Sequence, residues 1–269
     1  MFSLTDVFSP LIGVVIGLVM GLTGAGGGIL AVPALVYSQG WSMQQAMPVA
    51  LLAVTGGAIL GALEGFLRKL VRYRAGMLMA CAGSVPTWLG VQLAARLSQT
   101  MLMRCFALVL LLVAVRLYFQ MRTHVGDERH PSAIAHINQD TGRFDWNLPT
   151  LGIISAIGAL SGFMTGLLGV GGGFIIVPML RHFTNVSMHG AVATSLFVIS
   201  LVGSIGIASA WSHGTAIPAG FAFLFVAATA AGMLLARRIA ASLPAQAVQA
   251  MFILLLLGVA ASLLVRAAA

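Results

Sequence analysis

Charged side chains are scarce in this sequence, with 14 Lys or Arg and 6 Asp or Glu among 269 residues, 7% of the chain. A soluble domain carries about a quarter of its residues as charges, because its surface must face water. With 59% hydrophobic residues and a mean hydropathy of +1.03, this chain cannot cover such a surface, so lipid must be part of its solvent. Carboxylates are the scarcest charges. Beyond the N-terminus, Glu64 is the one carboxylate within or flanking an apolar run, which argues against a carboxylate relay of the kind many proton-coupled pumps use. Cysteine is nearly absent. Cys81 and Cys105 both lie in apolar stretches and read as small buried hydrophobes; the alternative is a membrane-embedded thiol or redox carrier. No His/Glu spacing suits a metal and no serine–histidine pair lies at matched depth. The pattern therefore argues against an enzyme and requires no metal or cofactor.

The excess of basic residues, net +8 with pI near 11.1, does not mark a nucleic-acid binder. The cations fall in short clusters between apolar runs, as topology signals do, and not along one polar face. The N-terminus has Asp6 and no early Lys or Arg, and its apolar run continues to about Tyr37. That is too long for the core of a signal peptide, so the segment is expected to be retained.

Spanning helices need about 20 apolar residues. Eight runs qualify or nearly qualify, around Leu11–Tyr37, Ala46–Leu63, Ala75–Ala95, Met101–Phe119, Leu148–Leu180, Ala191–Trp211, Ile217–Ala236 and Ala247–Val265. A polar stretch from Gln120 to Asn147 divides them, giving a first membrane repeat (1–121), a linker loop (122–147) and a second repeat (148–269). The halves match in sequence. Gly21-Leu-Thr-Gly-Ala-Gly-Gly-Gly-Ile-Leu-Ala-Val-Pro33 aligns with Gly166-Leu-Leu-Gly-Val-Gly-Gly-Gly-Phe-Ile-Ile-Val-Pro178, a constant offset of 145 residues. The register holds without a gap from Gly13 to Ala75, which points to an internal duplication, a common way to build a transporter.

Each half opens on a run interrupted by glycines: Gly24, Gly26, Gly27 and Gly28, then Gly169, Gly171, Gly172 and Gly173. Each costs a helix about 1 kcal/mol relative to alanine, and in a bilayer the opened backbone must be satisfied within protein or a wet cavity. A helix restarting at Gly26–Gly28 directs free N–H groups and the positive end of its dipole into the break. Without Cβ atoms, an oxyanion can approach that backbone closely. The competing reading is that these glycines only permit close helix packing. The candidate substrate site comprises those eight glycines with Thr23, Thr194 and Ser195, although the two hydroxyl residues of the second half can equally back-bond to their own helix. Glu64, His189 and His213 are candidates for coupling or gating, with an ion pair to Arg68 the simpler role for Glu64. Arg104 and Arg116 lie within the fourth run, where snorkelling to an interface is the simpler role.

Basic loops mark the cytoplasm. Arg68, Lys69, Arg72 and Arg74 follow the second run, and Arg237 and Arg238 follow the seventh. Placing both clusters on one side makes the halves inverted repeats, each a broken, re-entrant first helix plus three transmembrane helices. Dividing the first run evenly gives arms of about 13 residues, near 20 Å and too short to cross. The alternative is four full spans per half with parallel repeats. Either way the fold class is an all-α integral membrane protein of two homologous halves.

The two Gly-x-Gly-Gly-Gly…Pro segments, with Ala193-Thr194-Ser195-Leu196 and Ser212-His213-Gly214 in the second half, resemble the sulfite exporter TauE/SafE family over nearly the whole chain. That resemblance implies a bacterial inner-membrane protein exporting sulfite or related small organosulfur anions. Half one departs from the pattern, with Val49 and Ala50 where half two has Thr194 and Ser195. The expected partners are a small anionic substrate and the lipid bilayer, with no nucleic acid; a homodimer is compatible with the sequence.

Overall fold

In a computed structural model of the chain, the structure describes residues 4–23, 27–122, 146–212, 219–239 and 245–268. The first half contains α1 (Leu4–Thr23), a 3-10 turn (Gly27–Leu30), α2 (Ala31–Gln39), α3 (Met43–Leu67), α4 (Tyr73–Arg96) and α5 (Gln99–Arg122). The second contains α6 (Leu148–Leu168), α7 (Gly173–Phe183), α8 (Met188–Ser212), α9 (Ala219–Ile239) and α10 (Ala245–Ala268). Each long first run is thus split at its glycines into a long arm and a short one. The expected equal arms are corrected: α1 has 20 residues and α6 has 21, whereas α7 has 11. The glycines sit late in each run, and α1 extends upstream to Leu4. Among the described residues six helices, α3, α4, α5, α6, α8 and α10, are long and apolar enough to cross a membrane. The short second arm, about 17 Å at 1.5 Å per residue, reaches only partway through a core of about 30 Å.

Local chemistry sets the helix ends in the same way in both halves. Ser42 and Gln45 form a reciprocal capping box at the start of α3. At the matching place in α8, Ser187 Oγ accepts from the Gly190 N–H at 3.2 Å, satisfying a donor the helix cannot reach itself. At the other end of α3, Lys69 adopts a left-handed φ of 57°. Its N–H donates to Phe66 O and the Leu70 N–H donates to Gly65 O, closing the helix and turning the chain into the basic loop.

The halves interlock. α1 packs along α9 and α4 along α6, so each half lays its first helix against the fourth helix of the other. Both contacts are parallel: Gly158, Gly162 and Gly166 of α6 meet Met79, Gly83 and Thr87 of α4 in ascending order, and Gly13 and Gly21 of α1 meet Phe225 and Met233 of α9. The glycines let these backbones touch. The equivalent helices instead meet head to tail. Along α3 and α8, Leu51, Thr55 and Gly65 face Gly206, Gly203 and Ala193. In the α5–α10 pair, Arg104 Nη2 donates to Ala267 O at 3.3 Å and Gln249 Nε2 to Leu117 O at 3.0 Å.

Within their central windows, α3 and α8 are 72% and 61% buried, against 28–33% for α4, α5 and α10. The α3–α8 pair is therefore the centre of the bundle. Leu112, Phe119, Leu254 and Val265 turn outward on α5 and α10, as lipid-facing side chains do.

Candidate glycine-break site at the α3–α8 crossing

The second-half break is built from three residues that only glycine accommodates without strain. Gly169 closes α6 with φ 69°, and Gly171 and Gly172 follow with φ 87° and 63°; a Cβ is disfavoured in this left-handed region. The Gly169 N–H still donates to Thr165 O at 2.9 Å, and Gly172 O accepts from Ile175 and Ile176 at 3.0 and 3.2 Å. Gly172 caps α7 without any side-chain hydrogen bond. Among the described residues the first-turn N–H groups of Gly173 and Phe174 find no backbone acceptor, as expected of a helix N-terminus with its donors free. In the first half, α1 ends at Thr23 and the chain resumes with the 3-10 turn from Gly27. Gly24 and Gly26 lie outside the described residues.

The two breaks meet. A Cβ on Gly28 would lie 2.9 Å from Val54 and 3.0 Å from Val170 O, and one on Gly171 would lie 2.8 Å from Val54 and 2.9 Å from Ile199. Val54 and Ile199 are equivalent residues near the midpoints of α3 and α8, and both are 1% exposed. Gly28 and Gly171 are thus brought to the helix crossing at the centre of the bundle, and Gly172 lies against α6. Ser161 and Thr165 stand beside them: a Cβ on Gly172 would be 2.6 Å from Ser161 O and 2.8 Å from Thr165 Oγ1. Sequence reading missed both. The signal was available, a hydroxyl pair one turn apart just before the glycines, but the first half has Ile16 and Met20 there, so the repeat does not highlight it.

The other candidates are placed differently. Thr194 is fully buried and its Oγ1 accepts from the Arg72 N–H at 3.0 Å, tying α8 to the start of α4. Ser195 Oγ donates to Val192 O at 2.8 Å, and Thr23 Oγ1 to Val19 O at 2.7 Å. Ser195 and Thr23 thus spend their hydroxyl protons on their own helices while Thr194 accepts across to α4, and Thr194 and Ser195 precede the midpoint of α8 by about a turn or more. Glu64 pairs with Arg68 at 2.8 Å at the exposed end of α3. His189 is exposed in the first turn of α8. His213 lies outside the described residues. Cys81 is exposed and Cys105 half-buried, both as free thiols, on helices that share no substantial interface. Arg116 Nη2 donates to Pro178 O at 3.2 Å, joining α5 to α7.

The helix directions sort the cations. The ends carrying Arg68, Lys69, Arg72, Arg74, Arg122 and Arg181 lie at one face of the bundle, and those carrying Arg96, Arg104 and Arg266 lie at the other. The end of α9 that holds Arg237 and Arg238 belongs to the first face.

Comparison with known proteins agrees with a membrane transporter. The family described as "Sulfite exporter TauE/SafE" matches residues 10–263. A "Probable membrane transporter protein" of Xylella fastidiosa (strain 9a5c) is 26% identical over 194 residues, covering 72% of this chain and 69% of that protein. The "Probable membrane transporter protein YunE" of Bacillus subtilis (strain 168) is 26% identical over 204 residues, 72% of this chain and 75% of its own length. A similarly named protein, MJ0441 of Methanocaldococcus jannaschii, is 24% identical over 205 residues, 74% of this chain and 70% of that protein. No solved structure matches the chain significantly.

Proposed function

This chain belongs to the sulfite exporter TauE/SafE family and is a multi-pass membrane transporter; from that footing we propose that it exports a small sulfur oxyanion, held between its two glycine breaks. One observation carries the reading. Two helix interruptions from separate halves converge on Val54, at the crossing of the most buried helices. Breaks in a bilayer are costly unless they line a site, and short helices that start there present N–H groups to an anion. Sulfite and related organosulfur anions have the size and the acceptor oxygens for such a cradle.

The halves act as inverted repeats. The head-to-tail pairing of α3 with α8 and of α5 with α10 supports this, since equivalent helices of parallel repeats would run the same way across the membrane. Inversion gives alternating access a simple form, with the two halves rocking about a shared central site. The basic face lies in the cytoplasm by the charge rule, in a bacterial inner membrane. The arginines there raise the local concentration of anions before they enter.

The site offers dipoles and no fixed charge: α3 from Met43 to Leu63 and α8 from Gly190 to Ser212 contain no ionisable side chain. Burial cost grows with the square of charge, so a dianion pays about four times what a monoanion does. The transported species is therefore the singly charged form.

Flux of sulfite, sulfoacetate and thiosulfate into proteoliposomes, with and without a proton gradient, tests the proposal. Gly27→Val and Gly172→Val should each abolish flux of the transported anion. Full flux in both variants for every anion would remove the glycine breaks from the mechanism.

A further inference from the structure

Buried hydroxyls in a membrane helix normally donate to their own backbone. Thr87, Thr165, Thr184 and Thr229 do so here, each to the carbonyl four residues back. Thr55, in the middle of α3, does not. It is 3% exposed, and its Oγ1 is buried without a hydrogen-bond partner among the described residues. A buried polar atom left unpaired is costly and calls for an explanation, such as a bound water, an ion or a functional partner.

Its surroundings supply one. Thr55 follows Val54, the residue that both glycine breaks touch. Its hydroxyl faces Gly203 of α8, where any Cβ would collide with Oγ1. Gly203 lies one turn beyond Ile199, which packs on Gly171, so the hydroxyl stands roughly 5 Å, one helical turn, from the break. The equivalent pair in the other half is Ser200 and Ala58. There Ser200 Oγ donates to Phe197 O at 2.7 Å, and the residue equivalent to Gly203 carries a methyl group. Only the half with glycine opposite leaves its hydroxyl unspent.

We infer that Thr55 Oγ1 is the side-chain hydrogen-bond donor of the central site, binding an oxygen of the transported oxyanion. The inference rests on the reading of the glycine breaks as an anion site, and it makes that site asymmetric. The first half supplies a hydroxyl and the second supplies strained glycines and a helix N-terminus. A hydroxyl donates without adding charge, which suits a site that binds the anion and must then release it.

The test uses full-length protein in proteoliposomes, with sulfite as probe, comparing Thr55→Val, Thr55→Ser and Gly172→Val. Thr55→Val keeps the shape and deletes the donor. It should raise the apparent KM for sulfite about tenfold or more, the worth of one hydrogen bond to a charged group, while its melting temperature stays level or rises because an unpaired hydroxyl is gone. Thr55→Ser should return KM to within a few-fold of the parent. Unchanged KM in Thr55→Val overturns the inference, leaving the hydroxyl as a packing contact against Gly203. Equal losses in Thr55→Val and Thr55→Ser with a lowered melting temperature overturn it in favour of packing. A changed sodium dependence at constant sulfite KM would assign the oxygen to a cation and also overturn it. Loss of flux in Gly172→Val with an unchanged KM in Thr55→Val refutes Thr55 and spares the anion site, whereas full flux in Gly172→Val with an unchanged KM in Thr55→Val refutes the site itself.

Discussion

Gly172→Ala is the most economical probe of the break. Gly172 sits at φ 63°, a conformation that costs an L-residue about 1–2 kcal/mol. The new methyl would lie 2.6 Å from Ser161 O, 2.8 Å from Thr165 Oγ1 and 3.0 Å from Ser161 Cβ. Two of these atoms cannot swing aside, because Ser161 O already accepts from Thr165 Oγ1 at 2.7 Å within α6. Overpacking of this kind adds about 1–3 kcal/mol, so the total is about 3 kcal/mol and the melting temperature should fall by roughly 5–10 °C. Gly152→Ala is the matched control on the same first-run segment, since a Cβ there meets nothing within 4 Å; its helix propensity gain is at most about 1 kcal/mol. Both variants are assayed for sulfite uptake well below either melting temperature and normalised to folded protein. Gly172→Ala should transport at under a tenth of the parental rate even when folded, because the methyl intrudes where the break bends. Gly152→Ala should match the parent. If Gly172→Ala melts and transports like Gly152→Ala, neither the left-handed backbone nor the close fit against α6 constrains this protein.

Three further outcomes follow from the same structure. Replacing Cys81 and Cys105 together with serine should leave flux within twofold of the parent, since one thiol faces outward and their helices share no substantial interface; loss of activity would revive a thiol carrier. In that cysteine-free background, Lys69→Cys and Ser98→Cys should be labelled by an impermeant maleimide from opposite sides of the membrane, Lys69→Cys from the cytoplasm, because they lie in the loops at the two ends of α4; labelling from the same side would break the topology. Sulfite flux should rise as pH falls from about 8 to 6, because protonation converts the dianion to hydrogensulfite and the charge-free crossing favours one charge over two. Methanesulfonate, singly charged throughout that range, serves as the control; sulfite flux that follows the dianion instead would refute the monoanion reading.

Much of this was legible in the sequence because the signals are local. Hydropathy is a property of each segment, so the membrane assignment needed no neighbours. Glycines at Gly169, Gly171 and Gly172 announce backbone that a helix cannot hold, since tolerance of a left-handed φ is a property of the residue itself. The duplicated register located both breaks before any packing was known. Equal arms were the error: glycine positions mark where a helix fails, and the length before them is set by how far upstream the helix extends.

Other features depend on contacts between distant segments. The interlocking of α1 with α9 and of α4 with α6, and the head-to-tail crossing of α3 and α8, exist only once these helices share one bundle. Thr194 could equally have met an anion or its own helix, and its Oγ1 instead accepts from the Arg72 N–H, 122 residues away in sequence. Nothing in the sequence singles out Thr55, whose Oγ1 is left unpaired at the centre of the bundle among the described residues. Sequence alone determined that the chain lives in lipid and breaks its helices twice, because composition and backbone preference are carried residue by residue. Which side chains meet at those breaks, and which of them remain free to bind, was decided by tertiary structure, because a hydrogen bond requires two partners and only the folded chain brings them together.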